Sequence, residues 1–274
     1  MKRKKTGLTM IELLIVLAII ALLVGLLVPA LSVVRNMAKE TKQKAQFATI
    51  ELALAAFKND DGDYPRSDWT PAVFTGDYCG AQKLAEALLG WDLLGFHPNS
   101  DFTSNGINNA GVFVYDSSND ILFGQRKGPY LENATADVFT LGSIFWKTGT
   151  GSLAANTNVL CDVFHATTVT LPGGTTSKAG APILYYKANT SGKILNEVYR
   201  VTDNDAIVMI KQQADGREHP LGIPNDLNAA FYNYIRDPKI TARPWPYRPD
   251  SYILISAGAD GLYGTPDDIC NFGN

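Results

Sequence analysis

The N-terminal part of the chain is dominated by one long apolar run. From Leu8 to Leu31 the only charged residue is Glu12. About 20 apolar residues are enough for a helix to cross a bilayer. A secretory signal has a shorter apolar core of about 7–15 residues, followed by a small-residue cleavage site. The run therefore predicts a membrane-spanning helix.

A periodic pattern follows the apolar run. Residues 32–58 contain no Gly or Pro, and apolar residues recur there every three or four positions, at Phe47, Ile50, Leu54 and Phe57. This spacing predicts a helix with one apolar stripe. The helix should end near Asn59, because Gly62 and Pro65 are stop signals.

Shorter elements are predicted in the rest of the chain. Residues 81–94 have the spacing of a short helix that ends at Gly90. Runs of β-branched and aromatic residues predict strands at Gly111–Tyr115, Ile144–Trp146, Pro182–Lys187, Glu197–Val201, Ala206–Lys211 and Tyr252–Ser256. Their short connections favour antiparallel pairing. The predicted fold class is α+β, with the long N-terminal helix packed on a small antiparallel β-sheet.

Composition and charge narrow the possible functions. Of the 274 residues 46% are hydrophobic and 19% charged, which is typical of a folded protein. The net charge is -3, and Lys2, Arg3, Lys4 and Lys5 precede the apolar run. By the positive-inside rule these residues stay in the cytoplasm and the body lies across the membrane. A mildly acidic body offers no footprint for nucleic acid.

Neither the cysteines nor the histidines form a catalytic pattern. Cys79, Cys161 and Cys270 are far apart and form no C-x-x-C pair. In an oxidising compartment one disulfide and one remaining thiol are possible, and the sequence does not select the pair. The histidines are isolated and no nucleophile, zinc or nucleotide motif is present, so we predict that the chain is not an enzyme.

The start of the chain, KKTG-LTMIELLIVLAIIALL, resembles the signal of type IV pilins and of the pseudopilins of type II secretion. The resemblance implies that a prepilin peptidase cuts after Gly7, removes the leader 1–7 and methylates Leu8. Glu12 then becomes the fifth residue of the mature chain, as in that family. The first mature residue is usually Phe there, and here it is Leu.

Two residues of the apolar run acquire assembly roles from this resemblance. In a filament the Glu12 carboxylate would neutralise the free α-amino group of a neighbouring Leu8, since an unpaired charge in a low-dielectric bundle is costly. The alternative is that Glu12 simply reaches the lipid headgroups. At Pro29 we expect a kink or local loss of helix, and the resemblance implies that this loss occurs on filament assembly.

A segment near the C-terminus is rich in Asp and Gly. In SAGADGLYGTPDDI, Asp260, Asp267 and Asp268 fall within nine residues, and glycines permit tight turns. Calcium prefers six to eight oxygen ligands. The spacing is not that of an EF-hand, and from composition alone a solvated surface turn remains the alternative.

This segment resembles the calcium loop of the major pseudopilin of type II secretion. The resemblance implies a Ca²⁺ ion held by the side chains of Asp260, Asp267 and Asp268 and by the carbonyls of Ala257 and Thr265.

The two resemblances together imply a membrane anchor, 8–31, a soluble helical half, 32–58, and a periplasmic domain, 59–274. The implied function is a structural subunit of a type II secretion pseudopilus or a related filament. The alternative is a minor tip subunit that binds cargo or primes assembly, because the middle region 96–180 is larger than in the major pseudopilin. The implied partners are prepilin peptidase, copies of the chain, other pseudopilins and the inner-membrane assembly platform.

Overall fold

The computed structural model describes residues 9–71, 76–132, 136–164, 167–171, 174–222 and 227–273. Its first element, helix α1, extends from Met10 to Asp61. The predicted long N-terminal helix is therefore confirmed, and it ends within one helical turn of the expected position. The chain divides into two compact units, Met1–Thr41 and Lys42–Asn274.

The second unit contains short helices and short strands. The further helices are α2 Gly80–Leu89, α3 Asp120–Gly124, α4 Leu141–Ile144, α5 Leu195–Val198, α6 Asp205–Asp215 and α7 Leu227–Tyr234, with 3₁₀ turns at Val201–Asp203 and Pro220–Gly222. The strands are β1 Val138–Thr140, β2 Asn158–Leu160, β3 Thr167–Thr170, β4 Thr176–Ala179, β5 Leu184–Lys187, β6 Tyr252–Ser256 and β7 Ile269–Cys270.

The strands form three small sheets, in which every pairing between the described strands is antiparallel. β1 pairs with β2, β3 pairs with β4, and β6 lies between β5 and β7. In the largest sheet Leu184 is opposite Ile255, and Ile255 is opposite Cys270. The α+β class is confirmed, but the strands are divided among several sheets, whereas one sheet was expected.

The apolar stripe of α1 belongs to the core of the second unit. Phe47, Ile50, Leu54 and Phe57 are all buried. They share a cluster with α2 and with the central strand β6, all five residues of which are buried. Periodicity thus predicted both the helix and the face that it buries.

Four of the six predicted strands are wrong. Gly111–Tyr115 forms no strand within the described stretch 76–132, apart from a single bridge between Ile107 and Phe113. The prediction at Ile144–Trp146 falls at the end of helix α4 and the turn after it. Glu197–Val201 falls on α5 and the start of a 3₁₀ turn.

The fourth wrong strand, Ala206–Lys211, lies within helix α6. Its β-branched residues have a high strand propensity, but Ile207, Ile210 and Lys211 are buried at helical spacing. Gly216 ends this helix with a left-handed φ of 62°, as glycine commonly does. Burial of one helical face outweighed the local propensity.

Candidate functional site

The first candidate site is the beginning of α1, where Thr9 holds the carboxylate of Glu12. The Thr9 N–H and hydroxyl both donate to Glu12 Oε2 at 2.8 Å, and the Glu12 N–H donates to Thr9 Oγ1 at 3.3 Å. This reciprocal arrangement is a capping box, which satisfies N–H groups that a first helical turn leaves unpaired. Gly7 and Leu8 lie outside the described residues.

The helix that follows is apolar on every side. Each described large apolar side chain from Met10 to Met37 is exposed. The exposed fraction ranges from 48% at Val16 to 86% at Met10. An 18-residue window of this helix has a mean hydropathy of 3.2 and is not buried inside the protein. By length and composition the helix can cross a membrane. The backbone of the single chain is helical at Pro29, and the loss of helix that the resemblance implies on filament assembly stays a prediction.

The second candidate site is the loop that connects β6 to β7. Ala257 is fully buried at its start. The next residue, Gly258, has a φ of +64°, and a Cβ there would lie 2.4 Å from the Asp267 carbonyl oxygen. Only glycine allows this approach, so the two ends of the loop meet at Gly258 and Asp267.

Asp267 binds the N–H groups of the opposite side of the loop. Its Oδ2 accepts from the N–H groups of Ala259 at 2.8 Å and Asp260 at 3.0 Å, and its Oδ1 accepts from the Thr265 hydroxyl at 2.6 Å. Burial alone would raise the pKa of Asp267, but these hydrogen bonds outweigh it and lower the pKa. Asp267 therefore holds the loop as a charged carboxylate.

Asp268 faces the interior. Its Oδ2 accepts from the Gly264 N–H and from the Tyr234 hydroxyl, both at 2.7 Å, and its Oδ1 lies 3.3 Å from Thr265 Oγ1. Burial raises the pKa of Asp268 to about 7, against the effect of these hydrogen bonds. Asp268 is thus a half-buried residue that ties the loop to α7.

The predicted calcium ligands fit a cation in part. The Asp260 Oδ1 accepts from the Leu262 N–H at 2.7 Å, and the Thr265 hydroxyl joins Asp267 to Asp268. The Thr265 carbonyl already accepts from the Asp268 N–H at 3.2 Å. Across the described ranges, no three His, Cys, Asp or Glu side chains are arranged as a set of metal ligands. The loop supplies oxygen atoms of the right kind, but Asp268 is engaged with Tyr234.

Residues 2–28 match the family model for the prokaryotic N-terminal methylation motif. This motif indicates a type IV pilin-like subunit that is processed by prepilin peptidase and assembles with other pilins. It suggests a structural subunit rather than an enzyme, and together with the apolar helix it fits a membrane-anchored protein. No curated protein and no solved structure matches the chain.

The cysteines of the chain are not paired in the structure. Cys79, Cys161 and Cys270 are all described, and each is a free thiol. Burial raises the pKa of Cys79 and Cys270 to about 12, so these thiols are weak nucleophiles at neutral pH.

Sequence reasoning missed several residues that act at the two sites. The role of Thr9 could have been predicted from the sequence, because T-x-x-E before an apolar run is the signature of a capping box. Tyr234 contacts Asp268 from 34 residues away, and Arg217 and Lys211 contact the loop from still farther along the chain. No local motif signals such contacts.

Proposed function

We propose that this chain is a structural subunit of a type II secretion pseudopilus, or of a related type IV pilus-like filament, and that it supports protein secretion across the outer membrane. The observation that carries the proposal is the methylation motif at residues 2–28 on a helix whose apolar side chains are exposed on every side. Such a helix requires lipid before assembly and neighbouring helices afterwards.

The proposed topology follows from the charges. The leader 1–7 stays in the cytoplasm and is removed by prepilin peptidase, residues 8–31 span the inner membrane, and 32–58 continue the helix into the periplasmic domain 59–274. An inner-membrane assembly platform then transfers the subunit into a periplasmic filament.

Glu12 is the proposed determinant of axial register. After cleavage behind Gly7, the α-amino group of Leu8 carries a positive charge in an apolar helix bundle. The Glu12 carboxylate of an adjacent subunit neutralises it, and an axial shift of one subunit would separate the two charges at considerable cost.

Electron microscopy of filaments sheared from cells that express the full chain with its assembly machinery tests this role. Glu12→Val and Glu12→Gln are run beside the wild type. Gln retains an oxygen that can accept from Thr9, so it keeps the capping box and removes only the charge. We expect long filaments from the wild type and few or none from either variant.

Mass spectrometry of Leu8 provides the control. All three proteins should carry a cleaved and methylated Leu8, which shows that insertion and processing are intact. Normal filaments from Glu12→Gln would overturn the proposed charge pairing.

A second candidate function is that of a minor tip subunit that binds cargo or primes assembly. The observation that favours it is the exposure of large apolar side chains in the middle region, by 74% at Ile121 and 63% at Trp146. Exposed aromatic and aliphatic side chains are typical of protein interfaces. If the wild type is processed at Leu8 but forms no filaments of its own, this second function is favoured.

We also propose that the loop between β6 and β7 binds Ca²⁺ through the carboxylates of Asp260, Asp267 and Asp268, with the carbonyls of Ala257 and Thr265. A divalent cation would neutralise three acidic side chains in one short loop and stabilise the folded body by mass action. The test is the melting temperature of the full chain in detergent, with millimolar calcium or with EDTA. A rise in the wild type that disappears in Asp267→Asn supports the site, and an unchanged wild type contradicts it.

A further inference from the structure

Two basic side chains donate hydrogen bonds to main-chain carbonyls of the same loop. Arg217 Nη2 donates to the Asp260 carbonyl oxygen at 2.8 Å, and Lys211 Nζ donates to the Gly261 carbonyl oxygen at 3.3 Å. A Cβ at Gly261 would lie 3.8 Å from both basic nitrogen atoms. Two cationic groups therefore contact the carbonyls of two consecutive peptide units in an otherwise acidic loop.

Lys211 is held in this position by a buried network. It is only 3% exposed, and a buried ammonium group is costly unless it is paired. Lys211 Nζ contacts the carboxylate of Asp215, one helical turn farther along α6. Asp215 Oδ2 lies 3.3 Å from His219 Nε2, and His219 Nδ1 accepts from the Tyr263 N–H at 3.1 Å. The network begins on α6 and ends on the loop.

Further contacts join the same two segments. The Leu221 N–H donates to the Tyr263 carbonyl at 3.1 Å, and a Cβ at Gly264 would lie 2.8 Å from the Leu221 nitrogen. The segment from Lys211 to Leu221 thus lies directly against residues 260–264. Its two cations contact main-chain carbonyls of the loop, whereas the loop's own carboxylates accept from main-chain N–H groups.

We propose that Lys211 and Arg217 are resident cations of this loop: positioning residues that hold the carbonyls of Asp260 and Gly261, so that the loop is closed before any divalent ion binds. A hydrogen bond from a charged donor to a carbonyl is stronger than one between neutral groups. The carbonyls of Asp260 and Gly261 are occupied by these cations. A calcium ion would therefore be held by the carboxylates of the loop and not by these two carbonyls, a point that rests on the calcium role proposed above.

Hydrogen exchange followed by mass spectrometry on the full chain in detergent tests the inference. The variants are Arg217→Met and Lys211→Met, with Arg217→Lys as the conservative variant and Lys239→Met as a control at an exposed lysine outside the loop. In EDTA we expect exchange of residues 259–264 to become about tenfold faster in Arg217→Met, as loss of one charge-assisted hydrogen bond predicts. Arg217→Lys should recover part of the protection, and Lys239→Met should behave as the wild type does.

Lys211→Met removes the ammonium partner of the Asp215 carboxylate and can therefore destabilise the whole body. Arg217 is half exposed, and its other charged contact, with the Asp215 carboxylate, is long at 3.9 Å, so its replacement leaves the core intact. Wild-type exchange of residues 259–264 in Arg217→Met would overturn the inference.

The same experiment with added calcium separates the two proposals. If exchange of residues 259–264 is faster in Arg217→Met and calcium slows it in neither protein, the proposed role of Lys211 and Arg217 is supported and the calcium role is contradicted. If calcium slows exchange of the wild-type loop while Arg217→Met exchanges in EDTA as the wild type does, the calcium role is supported and the proposed role of Lys211 and Arg217 is contradicted. If both are correct, calcium restores more protection to Arg217→Met than it adds to the wild type.

Discussion

Helix α1 has two parts that differ in the exposure of their apolar side chains. Between Met10 and Met37 every described large apolar side chain is exposed, whereas between Phe47 and Phe57 those on one stripe are buried and Leu52, off that stripe, is 72% exposed. The second part has the pattern of a helix at the surface of a folded body. The first part is apolar all round, a pattern that requires lipid or other helices as its surroundings.

The polar contacts of the two parts also differ, in how far apart the contacting residues are in the sequence. In the first part the polar contacts of Glu12 are local, since Thr9 is three residues away. In the second part the contacts are distant in sequence: Gln46 donates to the Cys161 carbonyl at 3.0 Å, and Arg248 donates to Glu51 at 2.7 Å. The apolar surface of the first part is thus left to surroundings outside the chain, either lipid or other helices, whereas the second part packs within one chain.

The largest effect that we predict distinguishes two leucines of the second part. Leu54→Ala should reduce the free energy of unfolding by about 2–5 kcal/mol, because it removes a fully buried side chain and leaves a cavity. Leu52→Ala, two positions earlier on the exposed side, should change it by less than about 0.5 kcal/mol. Urea titration of the full chain in detergent, followed by tryptophan fluorescence, measures both variants.

All four tryptophans lie after residue 61, so the fluorescence reports on the body and not on the anchor. Equal effects of the two substitutions would show that the second part of α1 does not pack on the body by one stripe. The comparison between the two parts of the helix would then fail.

The amino-acid pattern predicts α1 well because one period governs it over many residues. The stripe at Phe47, Ile50, Leu54 and Phe57 and the strand Tyr252–Ser256 are both found as expected. The pattern fails at α6, where Ala206–Lys211 is too short for its period to outweigh its β-branched composition. Short apolar runs do not distinguish a strand from a buried helix.

In the candidate sites, too, the sequence predicts what is local and misses what depends on packing. The T-x-x-E of the capping box and the Asp and Gly residues of the loop are contiguous, so the sequence displays them. The approach of Lys211 to Gly261 joins residues 50 positions apart. This contact depends on how α6 packs, and the sequence predicted a strand, Ala206–Lys211, in place of that helix.

A smaller predicted effect is the pH dependence of unfolding that comes from one buried carboxylate of the second unit, Asp162. Asp162 is almost fully buried; its Oδ1 accepts from the N–H groups of Ala181 and Phe164, and its Oδ2 accepts from the Ser256 hydroxyl at 3.0 Å. Burial raises the pKa of Asp162 to about 6, against the effect of these hydrogen bonds. An unfolded Asp has a pKa of about 3.9.

The folded state therefore binds the Asp162 proton more tightly than the unfolded state does. The stabilisation from this proton is complete below about pH 4 and is lost as the pH rises through about 6, by about 3 kcal/mol. Asp162→Asn cannot ionise and keeps similar hydrogen bonds, so its unfolding free energy should fall less between pH 4 and pH 7. Other buried carboxylates titrate in both proteins, so the difference between their pH profiles isolates Asp162. Parallel profiles would contradict the prediction.

The smallest effect concerns Thr9, and it decides what Glu12 does in the first part of α1. Thr9→Val keeps the shape of the side chain and removes the hydroxyl, which should cost the first turn about 1 kcal/mol. If Glu12 acts through its charge, this variant should still form filaments, reduced by no more than about fivefold, because the carboxylate remains. Thr9→Ser retains the hydroxyl and should match the wild type. If Thr9→Val abolishes filaments as completely as Glu12→Val, the capping box itself is required for assembly, and the first part of the helix depends on its local contact before it depends on any neighbour.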